Sequence, residues 1–436
     1  MARLSQVPLS RAMVAMITEG TLSRFSFGAL TFALPLYAVH LGLTLVETGL
    51  LLSVSAIVAV IFKPVMGHLS DRFGSKKTMI VALIFRSLTS LLLAFSFLSW
   101  QLFAIRTLHG LSISLRDPAA YSLIAENSDR KLIASSFAWY QTAKSAAGPV
   151  GAALAGFVLA FSSNFSLVFG LSFLFSILPI VAVARFVIDP RMQRVSSIER
   201  VKPMRKPRSL GLSVFAFTGF ALLVETTAMM TQNLFPLIAT TSAGLNNAET
   251  GLIYVISTLA VVLAGPQFGW VSDRVSRRLV LLFRSFANGF SSVLYALVPT
   301  FPGFAVGRIL DGMGKAAYLP AWGTMMTQVS DSDRKSRATM MGLMSMGEDA
   351  GDIIAPILAT FLWSIWGIVV MLAVRVALSI AAEVYTMVLS RTVYHGKRLQ
   401  EKSSQVGEPE IPAAINRLHP NGCTLSPNRG IRSQRA

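Results

Sequence analysis

Apolar residues fall along this chain in runs of about 20, each long enough to cross a hydrocarbon core of about 30 Å as a helix. The pattern predicts twelve such spans: 12–39, 45–66, 78–98, 101–124, 134–160 and 165–187, then 211–239, 250–270, 279–298, 303–327, 338–362 and 367–390. Connections such as Ser162-Ser163-Asn164 are very short, which forces neighbouring spans to run antiparallel. An even number of spans puts both termini on one side of the membrane.

The two sets of six repeat each other at an offset of 202 residues. That shift carries Glu47-Thr48-Gly49-Leu50 to Glu249-Thr250-Gly251-Leu252, and Asp71-Arg72 to Asp273-Arg274. It also carries Pro64 to Pro266, Gly67 to Gly269, Arg106 to Arg308, Gly110 to Gly312 and Pro118 to Pro320. Matching of Glu, Asp, Arg, Pro and Gly in so apolar a chain means two copies of one unit. Repeated halves in a membrane protein mark secondary transporters, whose substrate path lies between the halves. The predicted organisation is a first half at 1–187, a basic linker at 188–210, a second half at 211–390 and a disordered tail at 391–436. The linker carries Pro190, Pro203 and Pro207 amid basic charge and is expected on the anionic inner leaflet. The tail is rich in Pro, Ser, Asn and Arg, without periodicity.

Composition removes the soluble alternatives. With 53% hydrophobic and 14% charged residues and a mean hydropathy of +0.59, the chain is no ordinary soluble domain. A net charge of +18 would suggest nucleic acid in a soluble protein, but here its distribution decides otherwise. Ten of the 39 Lys and Arg lie inside apolar runs, with Arg185 at the end of the sixth run counted to the connection that follows. The other 29 fall on alternate connections and the two termini, and the intervening connections carry none. That is the positive-inside pattern, predicting cytoplasmic termini and no nucleic-acid partner. The single cysteine, Cys423, excludes an intramolecular disulfide or a cysteine-ligated cluster. The first apolar run carries Glu19 and Arg24, so it is expected to be a retained helix rather than a cleaved signal.

The segment Gly67-His68-Leu69-Ser70-Asp71-Arg72-Phe73-Gly74-Ser75-Lys76-Lys77 resembles the inner-loop signature of the major facilitator superfamily, G-x-x-x-D-R-x-G-R-R/K. It lies between the second and third spans, where that family has it. The second copy, Gly269 to Arg278 with Asp273 and Arg274, departs from the pattern at Ser276, where glycine is expected. The resemblance covers roughly residues 12–390. It implies an all-α polytopic fold of twelve transmembrane helices in two six-helix halves. From the residues alone, Gly67 is small where two helices must approach, Asp71-Arg72 supplies charge at a helix end, and Lys76 and Lys77 anchor the loop at the inner surface. The resemblance adds that Asp71 contacts neighbouring helix ends and locks the inner gate while the outer side is open. Arg106-Thr107-Leu108-His109-Gly110 resembles the family's buried arginine motif, linked there to proton coupling. Snorkelling to one face is the alternative for Arg106. In the fifth span, Ala147-Gly148-Pro149-Val150-Gly151-Ala152 is similar to the G-P-x-x-G-G element of proton-driven exporters, with Ala152 replacing the last glycine. Close packing at Gly148 and Gly151 and a bend at Pro149 explain it equally well. Arg116-Asp117-Pro118 leading to Glu126 also resembles a prokaryotic permease branch that includes magnetosome-membrane members.

Charges within spans supply the candidate chemistry, because each is costly in lipid and normally faces a partner or a wet cavity. Glu348, Asp349 and Asp352 crowd the eleventh span, with Gly347 and Gly351 keeping the backbone accessible. Acids so close cannot all ionise cheaply, so at least one is expected to hold a proton, unless cations such as Lys144 neutralise them. In the tenth span Arg308, Asp311 and Lys315 are spaced for an intrahelical ion pair, in a row that also lines the cavity of the implied fold. Glu19 and Arg24 lie about 140° apart on the first span and do not simply neutralise each other. Glu225, alone among charges on the seventh span, is the preferred proton or cation site of the second half. A structural pairing is expected for Arg375 and Glu383 in the last span.

Methionine pairs such as Met229-Met230 read as adaptable packing rather than metal transport. The five histidines make no metal-ligand spacing, and no Gly-Lys-Ser/Thr phosphate loop is present. No cofactor and no enzymatic activity are expected. The combined expectation is a secondary transporter of a bacterial inner membrane, working by alternating access among membrane lipids. It is expected to couple to protons and to export a small organic or amphipathic solute, as an antiporter. Uptake, or iron transport in a specialised membrane such as the magnetosome, is the transport alternative. A non-transporting sensor or assembly scaffold on the same fold is the other.

Overall fold

The structure is a computed structural model that describes residues 10–128, 133–187, 212–275, 277–330 and 337–406. The predicted linker at 188–210 and the tail beyond 406 lie outside the described residues. Twelve helical elements are described: α1 (Arg11–His40), α2 (Leu45–Phe73), α3 (Ser75–Ala94), α4 (Ser99–Asn127), α5 (Ile133–Ser162) and α6 (Phe165–Phe186), then α7 (Leu212–Gln232), α8 (Phe235–Ser242), α9 (Asn247–Arg274), α10 (Arg277–Leu297), α11 (Phe301–Ser330) and α12 (Arg337–Val406).

The internal repeat is visible down to the helix caps. Thr44 Oγ1 accepts the Glu47 N–H at 3.3 Å while Glu47 Oε2 accepts the Thr44 N–H at 2.8 Å. At the same offset, Asn246 Oδ1 accepts the Glu249 N–H at 2.8 Å and Glu249 Oε2 accepts the Asn246 N–H at 2.9 Å. Each reciprocal pair satisfies two N–H groups that the first helical turn leaves without partners.

Two elements depart from the predicted spans. The seventh span is broken at Asn233 and Leu234, because Pro236 in the first turn of α8 has no N–H and prevents α7 from running through. The eleventh and twelfth spans form the single element α12, which reverses at Gly367 with φ 83° and ψ 169°, a backbone state that glycine tolerates. With α7 and α8 taken as one crossing and α12 as two, twelve crossings remain. Eight stretches are long and apolar enough by themselves to cross a membrane, and the Leu343–Val388 stretch, at 46 residues, is long enough to do so twice. α12 also stays helical to Val406, where the sequence predicts disorder from 391. Lys397, Arg398, Gln400, Glu401 and Lys402 are good helix formers, which accounts for the extension.

Connections without Lys or Arg gather at one face, called here the neutral face. There the Tyr37 hydroxyl donates to the Ser96 carbonyl, Ser99 Oγ donates to the Leu41 carbonyl at 3.2 Å, and the Tyr37 and Phe165 rings lie 5.0 Å apart. At the opposite, basic face Ser10 Oγ donates to the Asn127 carbonyl, and Lys76 Nζ donates to the Ala184 carbonyl at 2.9 Å.

The halves join toward the neutral face. A hydrophobic cluster spans both, from Ala29, Phe32 and Leu159 to Ile253, Ala355 and Ala359. A second cluster, around Met16, Leu83, Ala119 and Tyr140, belongs to the first half alone. Glycine sets the seam. A Cβ on Gly156 of α5 would lie 2.6 Å from the Asn247 carbonyl and 2.9 Å from Gly251 Cα of α9, and one on Gly49 of α2 would meet Thr360 of α12. The Phe32 and Tyr254 rings touch across the same seam at 5.9 Å.

Candidate functional site

Three groups of charges sit within the spans; two are closed, and the third is half-exposed where the two halves face each other, a region called here the gap. The first is closed. Glu19 of α1 is 0% exposed; its Oε1 accepts from Arg116 Nε and Nη2 of α4 at 3.0 and 2.8 Å. Tyr140 of α5 donates to Glu19 Oε2 at 3.1 Å and accepts from Arg116 Nη2 at 2.9 Å. Glu19 therefore clamps three helices together rather than standing in an open pathway. Its partner Arg116 enters the sequence reading only as part of a motif, because nothing in the spacing pairs it with a residue 97 positions away.

The second group is closed too, and corrects the pairing expected within the tenth span. Asp311 of α11 accepts from Ser291 at 2.6 Å, Tyr295 at 3.1 Å and Arg375 Nη2 at 2.9 Å. Arg375, fully buried on α12, also donates to the Thr227 and Asn288 carbonyls at 2.6 and 3.0 Å and to Ser292 at 2.8 Å. Its partner is thus Asp311, not Glu383. Arg308 is left over the Phe235 and Tyr254 rings, 4.5 and 4.6 Å from their centroids. Its repeat mate Arg106 is buried rather than snorkelling and, among the described residues, pairs with no acid. Arg106 donates to the Leu51 and Leu52 carbonyls of α2 at 3.3 and 2.8 Å, using acceptor capacity that intrahelical bonding leaves over.

The third group borders the gap. Arg24 of α1 and Lys144 of α5 are half-buried on the first-half side. Glu225 of α7, Lys315 of α11 and Glu348, Asp349 and Asp352 of α12 are half-buried on the other. Gly351 lets α12 approach so closely that an added Cβ would lie 2.8 Å from Glu225 Cβ, and Gly347 packs likewise on the Thr218 carbonyl. This brings Glu225 and the α12 acids into one field that Lys315 shares. Arg24 feels Asp352 from across the gap. Asp352 Oδ1 is buried without a hydrogen-bond partner. Among the described residues, Arg24, Lys144, Glu225, Lys315 and Asp352 form no ion pair. Lys144 does not neutralise the α12 acids; its Nζ lies 5.0 Å from the Tyr140 ring centroid.

Neutralisation comes instead from Lys63 of α2, absent from the sequence-based candidates. Its Nζ donates to Asp349 Oδ1 and Oδ2 at 3.1 and 3.0 Å, linking the halves with about a third of each side chain exposed. Exposed pairs contribute about 0.2–1 kcal/mol, so removing the charge with Lys63→Gln is expected to slow transport no more than severalfold. A loss of initial rate well beyond about tenfold in that variant would show that Lys63 does more than bridge the halves.

The inner-loop motif is described in part. Among the described residues, an added Cβ on Gly67 meets nothing within 4 Å. Gly74 has φ 93° at the junction of α2 and α3, Arg72 and Lys77 are exposed, and Lys76 ties α3 to the end of α6. Arg274 is exposed at the end of α9. The side chains of Asp71 and Asp273, and Gly269, lie outside the described residues. In α5, Gly148 and Gly151 are contact points. A Cβ on Gly28 would lie 1.8 Å from the Gly148 carbonyl oxygen, and one on Gly151 would lie 1.9 Å from that of Phe25. Pro149 sits between them inside α5. Among the described residues no group of three or more His, Cys, Asp or Glu could hold a metal ion.

Comparison with known proteins agrees with this architecture. The sequence model of the Major Facilitator Superfamily matches residues 20–235 and again 221–426. Similar curated proteins include a probable 4-methylmuconolactone transporter of Cupriavidus pinatubonensis, 26% identical over 307 residues that cover 67% of this chain and 71% of that one. The multidrug resistance protein MdtG of Proteus mirabilis is 25% identical over 345 residues, covering 77% and 84%. A class B tetracycline resistance protein of Escherichia coli is 40% identical over 91 residues, covering 21% and 22%. Similar solved structures include the nucleoside transporter NupG, with TM-score 0.68 and 14% identity over 87% of this chain and 99% of that one. A POT family transporter in complex with 5-aminolevulinic acid has TM-score 0.70 and 13% identity, covering 87% and 95%.

Proposed function

Because this chain belongs to the major facilitator superfamily, and so is a multi-pass membrane transporter rather than an enzyme, we propose that it is a proton-coupled secondary transporter that exports a small organic or amphipathic solute by alternating access. One observation carries this reading. Four acids, Glu225, Glu348, Asp349 and Asp352, converge beside a gap that the neutral-face seam closes, and Asp352 Oδ1 is buried there without a partner. Carboxyl groups crowded in low dielectric gain by taking up a proton, and opening of the seam would release it to the other side. Export is supported by the Gly148-Pro149-Val150-Gly151 element and by the resistance functions in the names of two relatives. Purified protein in sealed vesicles, screened for solute movement with and without an imposed pH gradient, tests the reading. Accumulation that ignores the gradient would contradict it.

The basic face is proposed to be cytoplasmic, in a bacterial inner membrane, on the distribution of Lys and Arg. With Cys423→Ser removing the native thiol, Ser163→Cys is expected to react with an impermeant thiol reagent added outside intact cells, and Ser196→Cys is not. The reverse labelling would invert the topology.

A further inference from the structure

Beside the Glu19–Arg116 clamp, the first half gathers a second set of charges, which shares Arg24 with the group at the gap. This second set surrounds the Phe27 ring of α1. The His109 ring of α4 stacks on it at 5.0 Å with planes 10° apart, while the guanidinium carbons of Arg24 and Arg86 lie 5.2 and 5.1 Å from its centroid. His109 is 3% exposed and neither ring nitrogen has a hydrogen-bond partner. Arg86 of α3 is 5% exposed; its Nη2 donates to the Ser23 carbonyl at 2.8 Å but its Nε is unpartnered. Arg24 is half-buried at the gap and, among the described residues, makes no hydrogen bond or ion pair. Its side chain lies along α5 at Gly148, where an added Cβ would sit 3.4 Å from Arg24 Cγ and Nε.

The other arginines of this half that enter the bundle are already satisfied. Arg116 is paired with Glu19, and Arg106 is bound to two carbonyls. Among the described residues no acid of the first half pairs with Arg24 or Arg86; the charges of Glu19 and Asp117 reach Arg86 and Arg24 only at longer range, and both acids belong to Arg116. Two cations and an unpartnered imidazole are therefore held in a low-dielectric site without a direct ion-pair partner, an arrangement that gains from an anion supplied from outside. Guanidinium groups favour the planar, two-oxygen geometry of a carboxylate. Arg24 stands thirteen residues into α1 from Arg11, about 20 Å along the helix axis, which is too deep for a lipid headgroup. We infer that Arg24, Arg86 and His109, arranged around Phe27, form a receptor for the carboxylate of a small organic acid that enters the gap as cargo. Arg24 captures the anion at the gap, and the unpartnered Arg86 Nε and His109 nitrogens complete its hydrogen bonds from behind. This rests on the transporter reading only in supposing that the gap admits a solute.

Thermal stability of the full chain in detergent, with no gradient imposed, provides the test. The probes are benzoate, phenylacetate and octanoate, each paired with its neutral amide. At least one acid is expected to raise the unfolding temperature in a concentration-dependent way while its amide does not. Arg24→Gln, at a half-exposed position, is expected to weaken that acid by about tenfold or more, and Arg24→Lys to recover part of the loss. Arg86→Gln is expected to weaken it similarly. Equal responses to acids and amides would overturn the receptor, as would an unchanged acid preference in Arg24→Gln. Carboxylate binding without pH-driven transport would leave the receptor standing and sink the proton coupling alone.

Discussion

Replacing Gly156 with leucine is expected to cut transport by about tenfold or more while the protein still inserts and accumulates. The neighbours that a side chain would strike are backbone atoms of Asn247 and Gly251, which cannot swing aside as a flexible side chain does. Overpacking a tight contact costs about 1–3 kcal/mol. Here that penalty falls on the conformer closed at the neutral face, so its population is expected to drop by about tenfold or more. Helix insertion depends on apolarity, which leucine does not reduce. Gly156→Ala, with one carbon in place of four, is expected to give an intermediate rate. Initial rates in vesicles, normalised to inserted protein, check both variants. Wild-type transport by the leucine variant would show that the α5–α9 seam does not close during the cycle.

Glu19→Ala is expected to cost stability before it costs chemistry. It strands Arg116, whose side chain is 6% exposed, with no full counter-charge; Asp117 lies at 3.5 Å and is more exposed. Breaking one partner of a buried pair costs about 3–5 kcal/mol, while replacing both by apolar groups of similar volume is often neutral. Glu19→Ala should therefore lower yield and unfolding temperature sharply, and Glu19→Leu combined with Arg116→Met should recover most of the loss. If Glu19→Ala instead keeps its unfolding temperature and loses only transport, Glu19 belongs to the pathway and the clamp is not structural.

Local order is legible in this sequence, because it depends on neighbours along the chain. The capping partners Thr44 and Glu47 recur as Asn246 and Glu249, and the apolar runs end within a few residues of most observed helices. The break before Phe235 and the reversal at Gly367 escape the hydropathy pattern, since each depends on one residue inside an apolar stretch. Charge partners are mostly illegible. Helical periodicity gives the face a residue occupies but not the helix that comes to meet it. Asp311 thus bonds Arg375 rather than its near neighbours Arg308 and Lys315, and Asp349 finds Lys63 in the opposite half. Arg106, one of the buried positions most conspicuous in the sequence, spends its charge on two carbonyls. The α12 acids and Glu225 are legible because their charges are isolated in apolar runs, where the cost of burial itself is the signal.

Proton coupling through those acids is the centre of this account. Its most direct test is a comparison of two transport modes in the same vesicles, one driven by a pH gradient and one by exchange of labelled for unlabelled solute. Glu225→Gln and Asp352→Asn imitate the protonated side chains in size and hydrogen bonding. Each is expected to abolish pH-driven transport and to retain most of the exchange. Full pH-driven transport in both variants would contradict the account and leave the acids of α7 and α12 as structural residues.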